Sequence, residues 1–586
     1  MAFPLNSTLS APSRGGRLAL VFCACLTAWP AGLLQAQVQI QAPGQVQAAL
    51  PPSPRLSLPA PRPHIEEVPE VPARAGTGLS ENVLPSLGDM NSQTLSPAAE
   101  RRLGDRIMRS ILRDPDVIDD PLILEHVRTI WGSLLTSARH RGDINADIDD
   151  TYAWTPFLVR ERSVNAFALP GGYIGVHLGL LAITRSPDEL SSVLAHELSH
   201  VTQRHIARMM SQSKQTSWVG LAAMVLGALA ASRSSEAAQA LIMGGQGVAV
   251  QGQLNFSRDM EREADRVGFG VMTEAGYAPA GMAQMFEQLQ VAARLNDDNS
   301  YPYLRSHPLT TERIGEARAR MGTAGWGRVD DRTEAKLDRT RLRHALMSAR
   351  ARVLMDTRSA SLQGLVRPVT LPASATATDR LARHYEAALA AIQLKDRAQA
   401  EASLRQALAA VAGLDDVEQR EARRVLMLAG AELDVVTGRA ELAQATLADA
   451  LAHPAPGQAT DHRPELLLLA RAALNMPEGP VQRDALQNVV NRLQPLVSSQ
   501  PQDAAAWTAL SSSWARLGQP LRALRADAEA SAVTGDLQGA VDRVDSARRR
   551  YRQPSPAELI ELSVMDARVR TWRQTIKDDA REDKLG

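Results

Sequence analysis

Apolar positions change their spacing several times along this chain. Leu103, Ile107, Ile111 and Leu112 recur three and four apart, the period of one helix face, and Ser96-Pro97 upstream is a helix-start signal. Around Asp150 the period changes. Thr155 to Val164 and Asn165 to Val176 have the character of strands, with Pro170-Gly171-Gly172 as a turn or kink between extended pieces. After Thr184 helical spacing returns and holds, with interruptions, to about residue 355. Beyond about residue 375 the chain becomes a series of alanine-rich helices. Residues 37–94 carry no periodicity, and eight prolines between Pro51 and Pro72 mark a semi-rigid or disordered leader. The pattern predicts a mainly α protein. A first domain of helices with one small β-sheet spans 95–325, a helical linker 326–375, an α-helical array 376–550, and a charged C-terminal helix or tail 551–586.

The 586 residues favour more than one core, and the 44% hydrophobic content is that of a globular protein. With 65 basic and 65 acidic side chains the balance excludes a strongly basic nucleic-acid binder, so no nucleic acid is expected as partner. Both cysteines, Cys23 and Cys25, fall in a segment that reads as a secretory signal over residues 1–36. Arg14 and Arg17 precede the apolar run Leu18–Trp29, and Leu34-Gln35-Ala36 offers a small residue for cleavage. That run is short against the ~20 residues of a spanning helix, so cleavage is favoured over anchoring. The expected mature chain is cysteine-free, compatible with export into an oxidising compartment.

The chemistry sits on a helix that starts at Ser186-Pro187-Asp188-Glu189, a capping box with proline at the first helical position. Within it comes His196-Glu197-Leu198-Ser199-His200. Residues i and i+4 share a face, so both imidazoles can reach one ion. Glu197 is turned about 100° from His196, placing a carboxylate beside a metal-bound water without making it a ligand. Zinc lowers the pKa of such water to about 7, and the carboxylate takes its proton. A third ligand is needed. The long motif with glycine three and histidine six residues after the second histidine is absent, since Gln203 and Ile206 stand there. His205, one place out of register, reads as an ordinary surface histidine. The better source is Phe256–Gly268, where Glu261 and Asp265 share a helix face and Glu263 points away. Glu261 is then the ligand, Asp265 holds a ligand histidine from behind, and Ala264 and Gly268 are small enough for close helix approach. The bland alternative is a solvated acidic helix.

These motifs resemble the zinc peptidases related to HtpX and to the CAAX prenyl proteases. Asn165–Gly172 upstream and Ser306-His307-Pro308-Leu309-Thr310-Thr311-Glu312-Arg313-Ile314 downstream match that family's pattern as well, and the resemblance covers roughly residues 95–325. It implies a gluzincin-type fold, one zinc per chain on His196, His200 and Glu261, Glu197 as base, and protein or peptide substrates. The family's membrane members carry several spanning helices that this chain lacks, which points to a soluble, exported branch. Gly171 and Gly172 can leave a sheet edge open for strand addition by a peptide, with Asn165 as a polar contact, or form an ordinary hairpin. His307 can fill the zinc's open position, stabilise the oxyanion, or order the loop before Pro308, and Arg313 is a second candidate for charge stabilisation. The run Trp218–Ala231 is too short to span a bilayer and reads as a buried helix, a flap, or a peripheral membrane contact. Gly244-Gly245-Gln246-Gly247 follows no strand and reads as loop.

In the array, Trp507, Leu510, Trp514, Gly518, Ala523 and Ala530 fall on the tetratricopeptide pattern, and Gly438 and Ala443 repeat its framework. A looser copy centres on Tyr385, and Pro464–Val497 adds another helix pair. The array resembles about four tetratricopeptide repeats, whose stacked faces bind protein. A peptidase joined to such repeats behind an export signal is similar to periplasmic enzymes that tend outer-membrane beta-barrel proteins. That likeness implies those proteins, or their assembly machinery, as partners through the repeats. The other readings are a periplasmic chaperone or scaffold with a latent protease site, and a general housekeeping protease.

Overall fold

The computed structural model describes residues 95–212, 257–295, 302–323, 331–454 and 462–585. The expected signal, the leader, the Trp218–Ala231 run and the Gly244–Gly247 stretch lie outside the described residues. No described helix is long and apolar enough to cross a membrane.

Helix α1 (Pro97–Ile111) starts as expected, with Ser96 Oγ accepting from Ala99 N and proline in the first turn. Its buried stripe includes Leu103, Ile107 and Ile111. Strand β1 (Val117–Ile118), α2 (Pro121–His140) and the short α3 (Ala146–Asp149) follow. Next come β2 (Thr155–Val159), β3 (Ala166–Leu169), β4 (Tyr173–His177) and α4 (Leu178–Ile183). The sheet runs β1-β2-β4-β3, with β2 parallel to β4 and β3 antiparallel to it. The turn or kink expected at Pro170-Gly171-Gly172 is the turn of a hairpin between β3 and β4. It leaves β3 as the edge strand.

Gly171 and Gly172 sit at φ +75° and +84°, where a side chain is strained. They are buried. A Cβ on Gly171 would lie 2.8 Å from Arg101 Cα in α1, and one on Gly172 3.0 Å from Tyr152 Cβ. Their carbonyls accept from Ala153 N and Thr155 N. Both glycines shape the turn and pack against α1 and the 152–155 segment, which is the ordinary-hairpin side of the two readings.

Helix α5 (Pro187–Thr202) is the centre of the first domain. Ser186 Oγ accepts from Glu189 N, and Glu189 reaches back to Arg185 N. Every residue from Pro187 to Val201 is buried. The helix is walled by α2, β3, α7 (Arg258–Glu274) and α8 (Ala280–Leu295). The expected close approach is present: a Cβ on Gly268 of α7 would lie 3.0 Å from the Ala195 carbonyl. Helix α6 (His205–Gln212) follows α5 after Arg204, which takes φ +52°. The short α9 (Tyr303–Ser306) and α10 (Thr311–Thr323) carry the downstream motif.

Helices α11 (Asp331–Leu354) and α12 (Ser359–Val366) lead into paired helices. The pairs are α13 (Ala377–Gln393) with α14 (Arg397–Val411), α15 (Asp416–Val436) with α16 (Ala440–Ala452), and α17 (Arg463–Leu474) with α18 (Pro480–Ser499). Then come α19 (Ala504–Arg516) with α20 (Pro520–Val533), and α21 (Leu537–Arg550) with α22 (Pro556–Leu585). Four turns repeat one geometry. Lys395, Gly438, Gly518 and Gly535 take positive φ, and each next amide bonds back to the fifth residue before it.

A seam of ion pairs centred on buried arginines ties the array to α2. Arg350 donates to Asp120 at 2.8 Å and to Glu432 at 2.7 Å. Arg424 joins Glu125 at 3.1 Å to Glu465 at 2.6 Å, and Arg463 joins Asp119 to Asp503. Beside them the buried His126 and His344 rings meet at 3.1 Å, and His344 Nε2 lies 3.0 Å from Thr184 O. The last helix returns to the first: Arg109 pairs with Asp579 at 2.6 Å, and Arg102 with Glu582 at 3.1 Å.

Candidate metal centre

Three separate stretches bring His196, His200, Glu261 and His307 together, all buried, with one donor atom from each within 4.8 Å of the others. His196 Nε2 lies 3.0 Å from His200 Nε2 and 3.2 Å from His307 Nδ1. Glu261 Oε1 lies 2.9 Å from His307 Nδ1 and 3.4 Å from His200 Nε2, while its Oε2 is 3.5 Å from His196 Nε2. Zinc bonds of about 2.0–2.2 Å put tetrahedral corners roughly 3.3–3.6 Å apart, close to these separations. Imidazole nitrogens crowded this closely turn lone pairs on one another unless a cation or protons lie between them. The donor set of nitrogens and a carboxylate suits zinc.

Asp265 Oδ1 lies 2.9 Å from His196 Nδ1, behind the ring, while Glu261 faces the cluster. Glu263 points away from it, as expected. Arg313, the second candidate for charge stabilisation, is committed elsewhere. It forks onto Asp265 at 2.7 and 2.8 Å, stands 2.7 Å from Glu261 Oε2, and holds the Pro308 carbonyl. It ties the His307 segment to α7.

Burial works against a charged His196, but Glu261 and Asp265 outweigh it and push the ring up to about 9. Burial holds His200 well below the usual histidine range. Burial would also raise Glu261, yet His307, His196 and His200 drive it far down. Asp265 is lowered to about 2, because Arg313 and His196 overcome its burial. Glu197 goes the other way: burial raises it, opposed by His307 and His196. A raised carboxylate is the better proton acceptor near neutral pH.

Glu197 is fully buried. Its Oε2 accepts from Ala168 N of the edge strand at 3.1 Å. Its Oε1 makes no hydrogen bond among the described residues, with His307 Nε2 3.4 Å away. Asn165 precedes the same strand, and its buried Oδ1 likewise has no hydrogen-bond partner among the described residues. Tyr303 stacks on His307 at 4.7 Å between ring centroids, and its amide lies 3.4 Å from Val164 O, at the start of the strand. Tyr303 carried no signal in the sequence beyond its place four residues before His307.

His205 departs from expectation. It is buried, not a surface residue, with Nδ1 2.8 Å from His200 Nδ1 and Nε2 3.0 Å from Glu263 Oε2.

Residues 139–321 match the description "Peptidase family M48". Over 501 residues the chain is 27% identical to the beta-barrel assembly-enhancing protease of Escherichia coli K12, covering 84% of this chain and 92% of that one. Over 247 residues it is 33% identical to the Yersinia pestis protein of the same name, covering 41% of this chain and about half, 48%, of the relative. Over 164 residues it is 31% identical to metalloprotease LoiP of Escherichia coli, covering 28% of this chain and 61% of that one.

Proposed function

We propose that this chain, which carries the peptidase domain of family M48 and is a zinc metalloprotease, is an exported endopeptidase for misassembled outer-membrane beta-barrel proteins. One observation carries the reading: four buried donors converge beside a carboxylate whose Oε1 is unbonded among the described residues and whose Oε2 is held by the edge strand β3. The names of the relatives support the substrate class, and the signal-like segment before Gln37 supports the periplasm. The paired helices with their repeated turns support a tetratricopeptide array that docks clients or assembly machinery.

In this reading His196, His200 and Glu261 hold one zinc per chain. Bound there, zinc supplies Lewis acidity and brings the pKa of water to about 7. Glu197 takes a proton at Oε1, and the Ala168 amide fixes that carboxylate by its other oxygen. A client strand pairs along β3, with Asn165 as a polar contact. Asp265 and Arg313 keep His196 and Glu261 in place.

His307 is the latch in this reading. Its Nδ1 completes the set of four donors, and its Nε2 faces Glu197, so one ring covers both the open position and the base. The Tyr303–Val164 contact also sets its segment against the start of the strand that a client must reach. His307→Ala is expected to raise basal cleavage of an unfolded model protein. Lower cleavage with zinc content unchanged makes His307 a transition-state stabiliser instead.

The substrate class is tested by incubating the zinc-loaded full chain with an unfolded and a membrane-inserted beta-barrel protein. Cleavage of the unfolded form alone, absent in Glu197→Gln, is expected. Equal cleavage of unrelated unfolded proteins returns the housekeeping reading.

A further inference from the structure

We propose that His205 and Glu263 position the zinc ligand His200, as an imidazole–carboxylate relay that runs from the metal cluster to the surface. The inference rests on His200 being a ligand through Nε2.

The geometry that produces the relay is local. Helix α5 ends at Thr202, and Arg204 takes the left-handed conformation at φ +52°. That single residue turns the chain so that His205, first in α6, lies with its ring behind His200. Its Nδ1 stands 2.8 Å from His200 Nδ1, and its Nε2 3.0 Å from Glu263 Oε2. Arg208, one turn along α6, holds the same Glu263 oxygen at 2.7 Å.

Proton bookkeeping leaves one arrangement. A His200 that offers Nε2 to a metal carries its proton on Nδ1 and donates it. His205 then accepts at Nδ1, so its own proton sits on Nε2, and that proton goes to the Glu263 carboxylate. Each ring has one tautomer, and a carboxylate ends the chain. The two helix-borne histidines are therefore supported differently. His196 leans on Asp265 directly at 2.9 Å, and His200 reaches a carboxylate through an intervening imidazole. Such outer partners fix ring orientation and raise ligand basicity, and losing one typically costs about 10–100-fold in metal affinity.

The test measures zinc affinity by chelator competition on the full chain. His205→Phe keeps an aromatic ring in the pocket but leaves the His200 Nδ1 proton without its acceptor. It is expected to weaken zinc binding about 10–100-fold. His205→Gln offers an amide oxygen and an amide N–H in place of the two ring nitrogens and is expected to restore most of the affinity. Glu263→Ala is expected to weaken zinc less than His205→Phe does, and Glu261→Ala more. Parent-like zinc affinity in a folded His205→Phe protein overturns the proposal. So does failure of Gln to do better than Phe. Should His205→Phe not fold, nitrogen-15 NMR of the zinc-loaded parent reads the tautomer directly. An Nε2–H form of His205 is required, and an Nδ1–H form overturns the relay. If the parent itself binds no zinc, it is the ligand reading of His200 that falls.

Discussion

The metal cluster and the seam between α2 and the array are both packed with buried ionisable groups, yet they are built on opposite rules. In the seam, Asp119, Asp120, Glu125, Glu432, Glu465 and Asp503 each meet a guanidinium from Arg350, Arg424 or Arg463. Each arginine there is shared by two carboxylates, and the donors of an arginine fork suit such paired acceptors. In the metal cluster the donor atoms converge on one another, and Arg313 pairs with Glu261 through Oε2. Three imidazoles and Glu261 turn toward one point, and Glu197 keeps an oxygen without a hydrogen bond among the described residues. The seam's paired groups fasten two surfaces, whereas the cluster's donors converge on one point, as a metal's ligands do.

The comparison is sharpened first by removing function without removing structure. Glu197→Gln preserves size and polarity, so zinc retention and thermal stability should match the parent while peptide hydrolysis falls about 10²–10⁴-fold. Substantial remaining hydrolysis would remove Glu197 from the chemistry.

The seam should respond in the reverse sense. Arg350→Met strands Asp120 and Glu432 in a buried setting, a loss of about 3–5 kcal/mol in unfolding free energy by denaturant titration. Replacing the arginine and both carboxylates together by apolar residues should recover most of that loss, which no set of changes at the metal cluster could do for activity. If Arg350→Met alone is neutral, the seam is not what fastens the array.

The smallest effect is acid sensitivity. Burial keeps His344 neutral and lowers it to about 4, with Arg352 adding to the effect and its bond to Thr184 opposing it. His126 is held low by burial, His344 and Arg343. Below pH about 6.5 the unfolded chain takes protons that these folded rings refuse, so stability falls as pH drops from about 6.5 toward 4. The His344 share is at most about 3 kcal/mol. His177 and His205, also lowered to about 4 by burial, add to the parent's slope. The readout is therefore the difference between parent and His344→Gln in stability lost from pH 7 to pH 5, with the variant losing less.

What could be read from the residues was whatever helical spacing carries. His196 and His200, Glu261 and Asp265, and the narrow Gly268 all follow from period 3.6 on well-capped helices, and all four polar groups reach the cluster. His205 was missed because spacing arguments fail across a left-handed residue: Arg204 resets the helical phase, and counting from His200 no longer says where a side chain points. The glycines after Pro170 stayed open between two readings for a related reason. A glycine pair marks a backbone need, and only the packing of α1 tells whether that need is a turn or an open edge. In the array, Gly438 and Gly518 announced their turns, whereas Lys395 takes the same positive φ without a glycine, so the copy around Tyr385 read only as a looser one. Nothing in periodicity linked Arg102 or Arg109 to residues near the end of the chain, since surface charges pair by shape and not by spacing.

That last pairing has a consequence in time. Helix α1 is seated against the turn of the hairpin, where a Cβ on Gly104 would lie 1.9 Å from the Pro170 carbonyl, and its outer arginines are held by α22. The partners stand 470 and 480 residues apart in sequence. A ribosome adding about 5–20 residues per second makes one of them roughly half a minute to a minute and a half before the other. Contacts of such long range are the last to repay their loop-closure entropy. The helix that braces the edge-strand hairpin therefore receives its final fastening only once the whole array has been synthesised.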